Sequence, residues 1–261
     1  MHAPPSTQVI NPELLMLAYR GGVFPMSDAR DDPEVFWVEP RQRAILPLDG
    51  LKVSRSLART LRRGKFRVTC NAAFAEVMAG CAAPRRETDD TWISGRITAS
   101  YLLLHRLGHA HSIECWQGDE LVGGLYGVGF DRVFCGESMF SRVPDASKVA
   151  LCWLVAALRH AGATLLDCQF MTEHLASMGA VEISQAEYLV RLRAAQSATD
   201  GAGAATLGDA VGDGLAEGLG AGVALPDGFA ALLAAAAAAA AAAGSSSSPG
   251  NFIAQSLTQT S

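Results

Sequence analysis

Between residues 111 and 170 the apolar residues change their spacing twice, and this stretch constrains the fold more than any other part of the chain. HSIECW, ELVGGLYGV and RVFCGESMF are short runs of strand-forming residues, separated by QGDE and GFD, which read as hairpin turns. An apolar, alanine-rich stretch over residues 145–160 then takes helical spacing, and ATLLDCQF returns to a strand. Three strands, a helix and a further strand call for a sheet with a helix laid on it, and the expected class is α+β.

Upstream, NPELLMLAYRGG reads as a short helix with Asn11 as N-cap, Pro12 at the first helical position and glycines past its end. Residues 53–63 read as a second helix, capped by Ser54, with Leu57 and Leu61 one turn apart and Arg55, Arg59 and Arg62 on a neighbouring stripe. Further helices are expected over 72–81 and 96–107. The order of the later elements is similar, at fold level, to the core of the GCN5-related acyltransferase (GNAT) architecture. There a bulge splays two neighbouring strands and opens a crevice, and Gly136 is a suitable bulge position.

The formal charge of −5 argues at first against a nucleic-acid partner. No Lys or Arg follows Arg193, however, while five acids do, so residues 1–193 hold 21 acids and 21 bases. Nine bases against one acid fall between Arg41 and Arg67, and the arginine stripe is open to two readings, a solvated face or a phosphate contact. The six cysteines are scattered without a CxxC pair, which fits free thiols in a reducing compartment. MHAPPSTQ has neither a basic nor an apolar signal region, so no secretion is expected. The longest apolar run, residues 229–243, is too short and alanine-rich to span a bilayer, and no membrane partner is expected. Residues 194–250 are Ala, Gly and Ser with sparse acids, and are expected to be a flexible, disordered insertion without an amphipathic face.

The chemistry is expected where polar residues interrupt apolar strands. Asp167 and Gln169 alternate onto one face of ATLLDCQF, and Glu137 stands between CysGly and SerMet in the third strand. A carboxylate in mid-sheet is costly unless a partner or ligand satisfies it. His105, His109 and His111 lack the acid of a metal-binding motif, and no metal site is expected. Trp92 and Tyr101 read equally as core aromatics or as platforms for a nucleobase.

The segments LLMLAYRGGVFP, RAILPL, TWISGRITASYLLLHRLGHAHSIECWQGDELVGGLYGV, FCGESMFSRVPDASKVAL, LLDCQ and HLASMGAVEIS resemble the leucyl/phenylalanyl-tRNA–protein transferase family over residues 10–193, and IAQSLTQTS resembles its C-termini. The resemblance implies a small N-terminal domain (1–65) and a GNAT-like catalytic domain with a mixed sheet (66–193 with 251–261, ending in a native strand), interrupted by the insertion 194–250. It implies a cytoplasmic enzyme, monomeric and without cofactor. Such an enzyme moves Leu, Phe and less readily Met from aminoacyl-tRNA to proteins beginning with Arg or Lys, marking them for degradation. By position it assigns Gln169 to the incoming α-amine, Asp167 to polarising that contact, and Glu137 to the aminoacyl-adenosine end. Leu125, Phe134, Met139, Leu151, Leu154 and Leu166 would line the side-chain pocket. Trp92 and Tyr101 would lie near the adenosine, and Arg55, Arg59 and Arg62 would hold the acceptor stem. Met26 stands where relatives have Trp, and Thr172 where they have Asn. Two rival readings are a coenzyme-A-dependent N-acetyltransferase, opposed by the glycine-free turn SRVPDASK, and a non-catalytic RNA-binding module, which leaves Asp167, Gln169 and Glu137 without a purpose.

Overall fold

The computed structural model describes residues 9–84, 91–197, 219–242 and 248–258. Helix α1 (Pro12–Arg20) leads into a ribbon of β1 (Phe24–Met26) and β2 (Phe36–Val38). Then follow β3 (Gln42–Ile45), α2 (Arg55–Arg62), β4 (Arg67–Cys70), α3 (Phe74–Ala82) and α4 (Gly95–Arg106). The centre of the chain forms β5 (Ala110–Gln117), β6 (Glu120–Phe130), β7 (Val133–Ser141), α5 (Ala146–His160) and β8 (Leu165–Gln169). It ends in α6 (Glu173–Ser177), β9 (Val181–Ser184), α7 (Gln185–Ser197), α8 (Leu225–Ala242) and α9 (Pro249–Thr258). Both expected caps are in place: the Asn11 side chain accepts from the Glu13 and Leu14 amides, and Ser54 from that of Leu57.

Seven strands form one mixed sheet in the order β4-β5-β6-β7-β8-β3-β9, antiparallel except where β8 runs parallel to β7. Alternation along the strands separates two cores. Leu125, Phe134 and Leu166 pack with α5, whereas Tyr126, Cys135 and Leu165 pack with residues of α1, α3 and α4. The expected boundary at residue 65 does not fall at a break in this sheet. β3, from the segment assigned to the N-terminal domain, is hydrogen-bonded between β8 and β9 and carries Arg43 into the core.

Two expectations about the tail need correction. The final segment is a helix: α9 begins at Pro249, buries Ile253, Ala254 and Leu257 at helical spacing, and packs on α2 and α5. The stretch 194–250 is not devoid of packed structure, for α8 lies along α5 and buries Leu225, Gly228, Phe229, Leu232 and Ala236. Gly228 sits against the Ala157 carbonyl, where a Cβ would collide, and the Phe229 ring lies 5.4 Å from that of Trp153. Small residues bring the two helices close, and a few large ones fill the remaining space. By length and composition alone α8 could cross a membrane; 28% of that stretch is buried, on the side that packs against α5. Residues 198–218 and 243–247, like the N-terminal MHAPPSTQ, lie outside the described residues.

Candidate active site

Strands β7 and β8 pair from Val133↔Leu165 to Cys135↔Asp167 and then separate. The cause is one residue along β7. Tyr126 faces Ser138 and Gly127 faces Gly136, so Glu137 is left without a partner. An extra residue of this kind bends its strand and re-aims the side chain. Gly127 permits the close approach, since a Cβ there would meet the Cys135 carbonyl and the Phe134 ring. The expected bulge is thus present, with Glu137 as the extra residue beside Gly136.

A cavity of about 480 Å³ opens at the splay. Leu125, Met139, Leu151, Leu154 and Leu166 line its apolar wall, while Phe134 is fully buried behind them. Trp92, Met26 and Phe170 contribute to the wall, and so does Thr172, whose hydroxyl caps α6 by accepting from the Leu175 amide. Met26 therefore occupies the cavity at the position expected to hold an aromatic. The base-stacking role expected of Tyr101 is corrected. Its ring is wholly buried, edge-on to Tyr126, and its hydroxyl donates to Glu137 Oε2 at 3.3 Å, so no base can reach it. Trp92, half-buried on the cavity wall, keeps an accessible ring.

Two carboxylates lie near the splay, and they differ in access. Asp167 is fully buried and accepts from four donors: Arg43 Nε at 2.9 Å, Arg43 Nη2 at 2.5 Å, Tyr188 Oη at 3.0 Å and the Gln169 main-chain amide at 2.8 Å. The Arg43 guanidinium lies between the Phe24 and Tyr188 rings and donates to the Gly22 carbonyl. Burial opposes its charge, but Asp167 more than offsets this and holds Arg43 above its ordinary range. Asp167 does not reach the cavity and does not touch the Gln169 carboxamide. In place of the expected contact with the carboxamide, Asp167 grips the backbone of Gln169. That grip is needed, because Gln169 has a φ of 62°, a left-handed conformation that a side chain other than glycine adopts only when its surroundings enforce it.

Glu137 is the carboxylate that lines the cavity. Its Oε1 accepts from Tyr19 Oη at 2.8 Å and from Gln169 Nε2 at 2.9 Å, and the Tyr19 and Tyr101 hydroxyls are themselves in close hydrogen-bond contact. Burial pushes Glu137 up to about 7, partly countered by the bonds from Tyr19 and Gln169. The Gln169 Oε1 atom takes no hydrogen bond from the described residues. Cys168, the thiol on the same wall, is pushed up by burial and by Asp167, which disfavours a nucleophilic thiolate.

Arg43, Tyr19 and Tyr188 are functional neighbours that the sequence reading missed. The signal for Arg43 was available, since a buried carboxylate requires a cation or several donors. Arg43 entered the sequence reading only as one of nine bases between Arg41 and Arg67. The histidines form no metal cluster among the described residues. His105 Nδ1 bonds the Ala110 carbonyl and its ring stacks on Phe74, while burial and the neighbouring His105 and His109 push His111 down to about 4. Arg55, Arg59 and Arg62 are exposed on α2, with no ion-pair partner among the described residues. Thr60, on another face of α2, donates to Asp145 at the start of α5, which holds this helix against the α5 N-terminus, two residues from Ser147 on the cavity wall.

A mixed sheet splayed at a bulge, with an apolar cavity ending in a carboxamide and a carboxylate, defines a GNAT-like acyltransferase. The profile for leucyl/phenylalanyl-tRNA protein transferase matches residues 45–193, and that for the N-terminal domain of the same family matches residues 9–41. The leucyl/phenylalanyl-tRNA–protein transferase of Novosphingobium aromaticivorans is 67% identical over 97% of this chain and 97% of its own length. Those of Rhizorhabdus wittichii and Zymomonas mobilis are 57% and 56% identical, over 76% and 73% of this chain and 80% and 71% of theirs. The chain belongs to the leucyl/phenylalanyl-tRNA–protein transferase family. The Novosphingobium match extends over nearly the whole chain, so the tail is not peculiar to this sequence.

Proposed function

We propose that the cavity at the β7–β8 splay holds the aminoacyl end of the donor tRNA, and that Gln169 receives the α-amino group of an acceptor protein beginning with Arg or Lys. As a member of its family the chain is an aminoacyltransferase that moves Leu and Phe from tRNA to protein N-termini within the N-end rule. The observation that carries the residue assignment is the pairing, in one cavity, of an apolar wall with a carboxamide whose oxygen takes no hydrogen bond from the described residues and whose nitrogen is held by Glu137.

The reaction is aminolysis of an ester that is already activated, so no nucleophilic triad is required. Leu125, Leu151, Leu154 and Leu166 would take the Leu, Phe or Met side chain, at about 0.8 kcal/mol per buried methylene. Such a wall rejects Ala and charged groups well but separates Leu from Met weakly. Trp92 would stack on the terminal adenine. The exposed arginines of α2, next to the start of α5, would meet the acceptor-stem phosphates and supply affinity with little sequence reading. The tRNA donor and the free thiols both accord with a cytoplasmic setting.

The test is transfer of labelled leucine from Leu-tRNA to a peptide with N-terminal Arg. Gln169→Ala is expected to lower the rate by about 100-fold or more while retaining tRNA binding. Equal transfer by the variant and the wild type would refute the assignment.

A further inference from the structure

We propose that Glu137 is the proton acceptor of the transfer reaction, taking a proton from the acceptor's α-ammonium group, and that Tyr19, reaching in from α1, is a positioning residue that sets its basicity. The proposal rests on the reading of the cavity given above. Asp167 is fully buried, accepts from four donors and does not line the cavity. A carboxamide can orient an amine but is a very weak base. Glu137 is the only carboxylate on the wall among the described residues, and its Oε1 lies 2.9 Å from Gln169 Nε2. Gln169 and Glu137 line the same cavity, so an amine held at the carboxamide oxygen shares that cavity with the carboxylate.

The acceptor enters as an ammonium with three protons on nitrogen. Glu137 takes the first, and the freed lone pair attacks the ester carbonyl carbon. As the new C–N bond is completed, the bond to the ribose 3′-oxygen breaks, and that oxygen leaves with the second proton. The third stays on the amide nitrogen, and Glu137 returns its proton to water.

The groups facing Glu137 come from every neighbouring element. They are Tyr19 of α1, Tyr101 of α4, Tyr126 of β6, Cys135 of β7, and Gln169 and Asp167 of β8, the last neutralised by Arg43 of β3. Burial raises the carboxyl to about 7, where a base is effective near neutral pH, and the Tyr19 bond opposes that rise by favouring the ionised form. The rival base is His174, whose Nε2 is without a partner near the same cavity and whose pKa is lowered by burial and Lys148.

Single-turnover leucine transfer at saturating donor and acceptor, followed across neutral pH, tests the proposal. The wild-type rate should rise with a midpoint near 7. Glu137→Gln should lose the limb near 7, keeping only the higher one set by the acceptor's own α-amino group, and should lose about 100-fold or more in rate at neutral pH, with KM for Leu-tRNA changed by less than about threefold. Tyr19→Phe should move the midpoint to higher pH and recover most of the rate above it, whereas a merely structural role would lower the rate at every pH without moving the midpoint. The acceptor's own α-amino group is common to all variants, so a shift between them belongs to the enzyme. The proposal is overturned if Glu137→Gln keeps the wild-type limb, if it raises KM with kcat unchanged, or if the limb disappears in His174→Gln instead. Absence of wild-type transfer at any pH would remove the reading of the cavity itself, and the proposal with it.

Discussion

Glu137 and Asp167 illustrate how two buried carboxylates in adjoining strands acquire different behaviour from their donors. Asp167 has a guanidinium on both oxygens, while Glu137 has only neutral partners. The folded-state value for Glu137, about 7, lies above the ordinary 4.5, so its contribution to stability is fully present below about 4.5 and is lost as pH rises through about 7. Above that window the ionised, buried carboxylate costs roughly 3 kcal/mol by the size of the shift. Denaturant unfolding should therefore find Glu137→Gln more stable than wild type above neutral pH and equal to it in acid. A difference that does not vary with pH would contradict this. Asp167, Gln169 and Glu137 were legible in the sequence because polar residues stand out in apolar strands. Arg43 was not, because it lies 124 positions from Asp167 and its burial follows from the insertion of β3 next to β8. Tyr19 was likewise hidden, since an aromatic on an amphipathic helix announces packing and not a hydrogen bond to Glu137 118 positions away.

At the level of elements, local signals located the body well and the tail badly. Caps, turns and periodicity placed α1, α2 and the run from β5 to β8, all of which form by rules that act within a few residues. Helix α8 was misread because alanine carries almost no pattern. Its packing stripe consists of Leu225, Phe229, Leu232 and Ala236, with Gly228 admitting the α5 backbone, and this becomes visible only against its partner. Helix α9 was misread as a strand although Ile253, Ala254 and Leu257 have helical spacing. If α8 is part of the core, Phe229→Ala should destabilise the protein by about 3–5 kcal/mol, read as a lower unfolding midpoint with one transition. A change below about 0.5 kcal/mol would mean that α8 contributes nothing to the fold.

On the scale of the whole molecule, positive charge is gathered on α2 beside the start of α5, and the excess of acids lies beyond residue 193. The negative total is thus no obstacle to a tRNA donor, because phosphate binding depends on local geometry. Replacing Arg55 and Arg59 together by Ala should weaken tRNA binding and reduce the slope of log K against log salt by about one to two. An unchanged slope would remove α2 from the interface. The N-terminal elements also reach the candidate site directly, since Tyr19 and Arg43 each bond one of the two carboxylates at the splay. Whether the β7–β8 splay receives the aminoacyl end of the donor is decided by a crystal structure with a non-hydrolysable leucyl-adenosine analogue. The leucyl side chain is predicted among Leu125, Leu151, Leu154 and Leu166, with its carbonyl facing Gln169. A leucyl group bound anywhere outside this cavity would contradict the account.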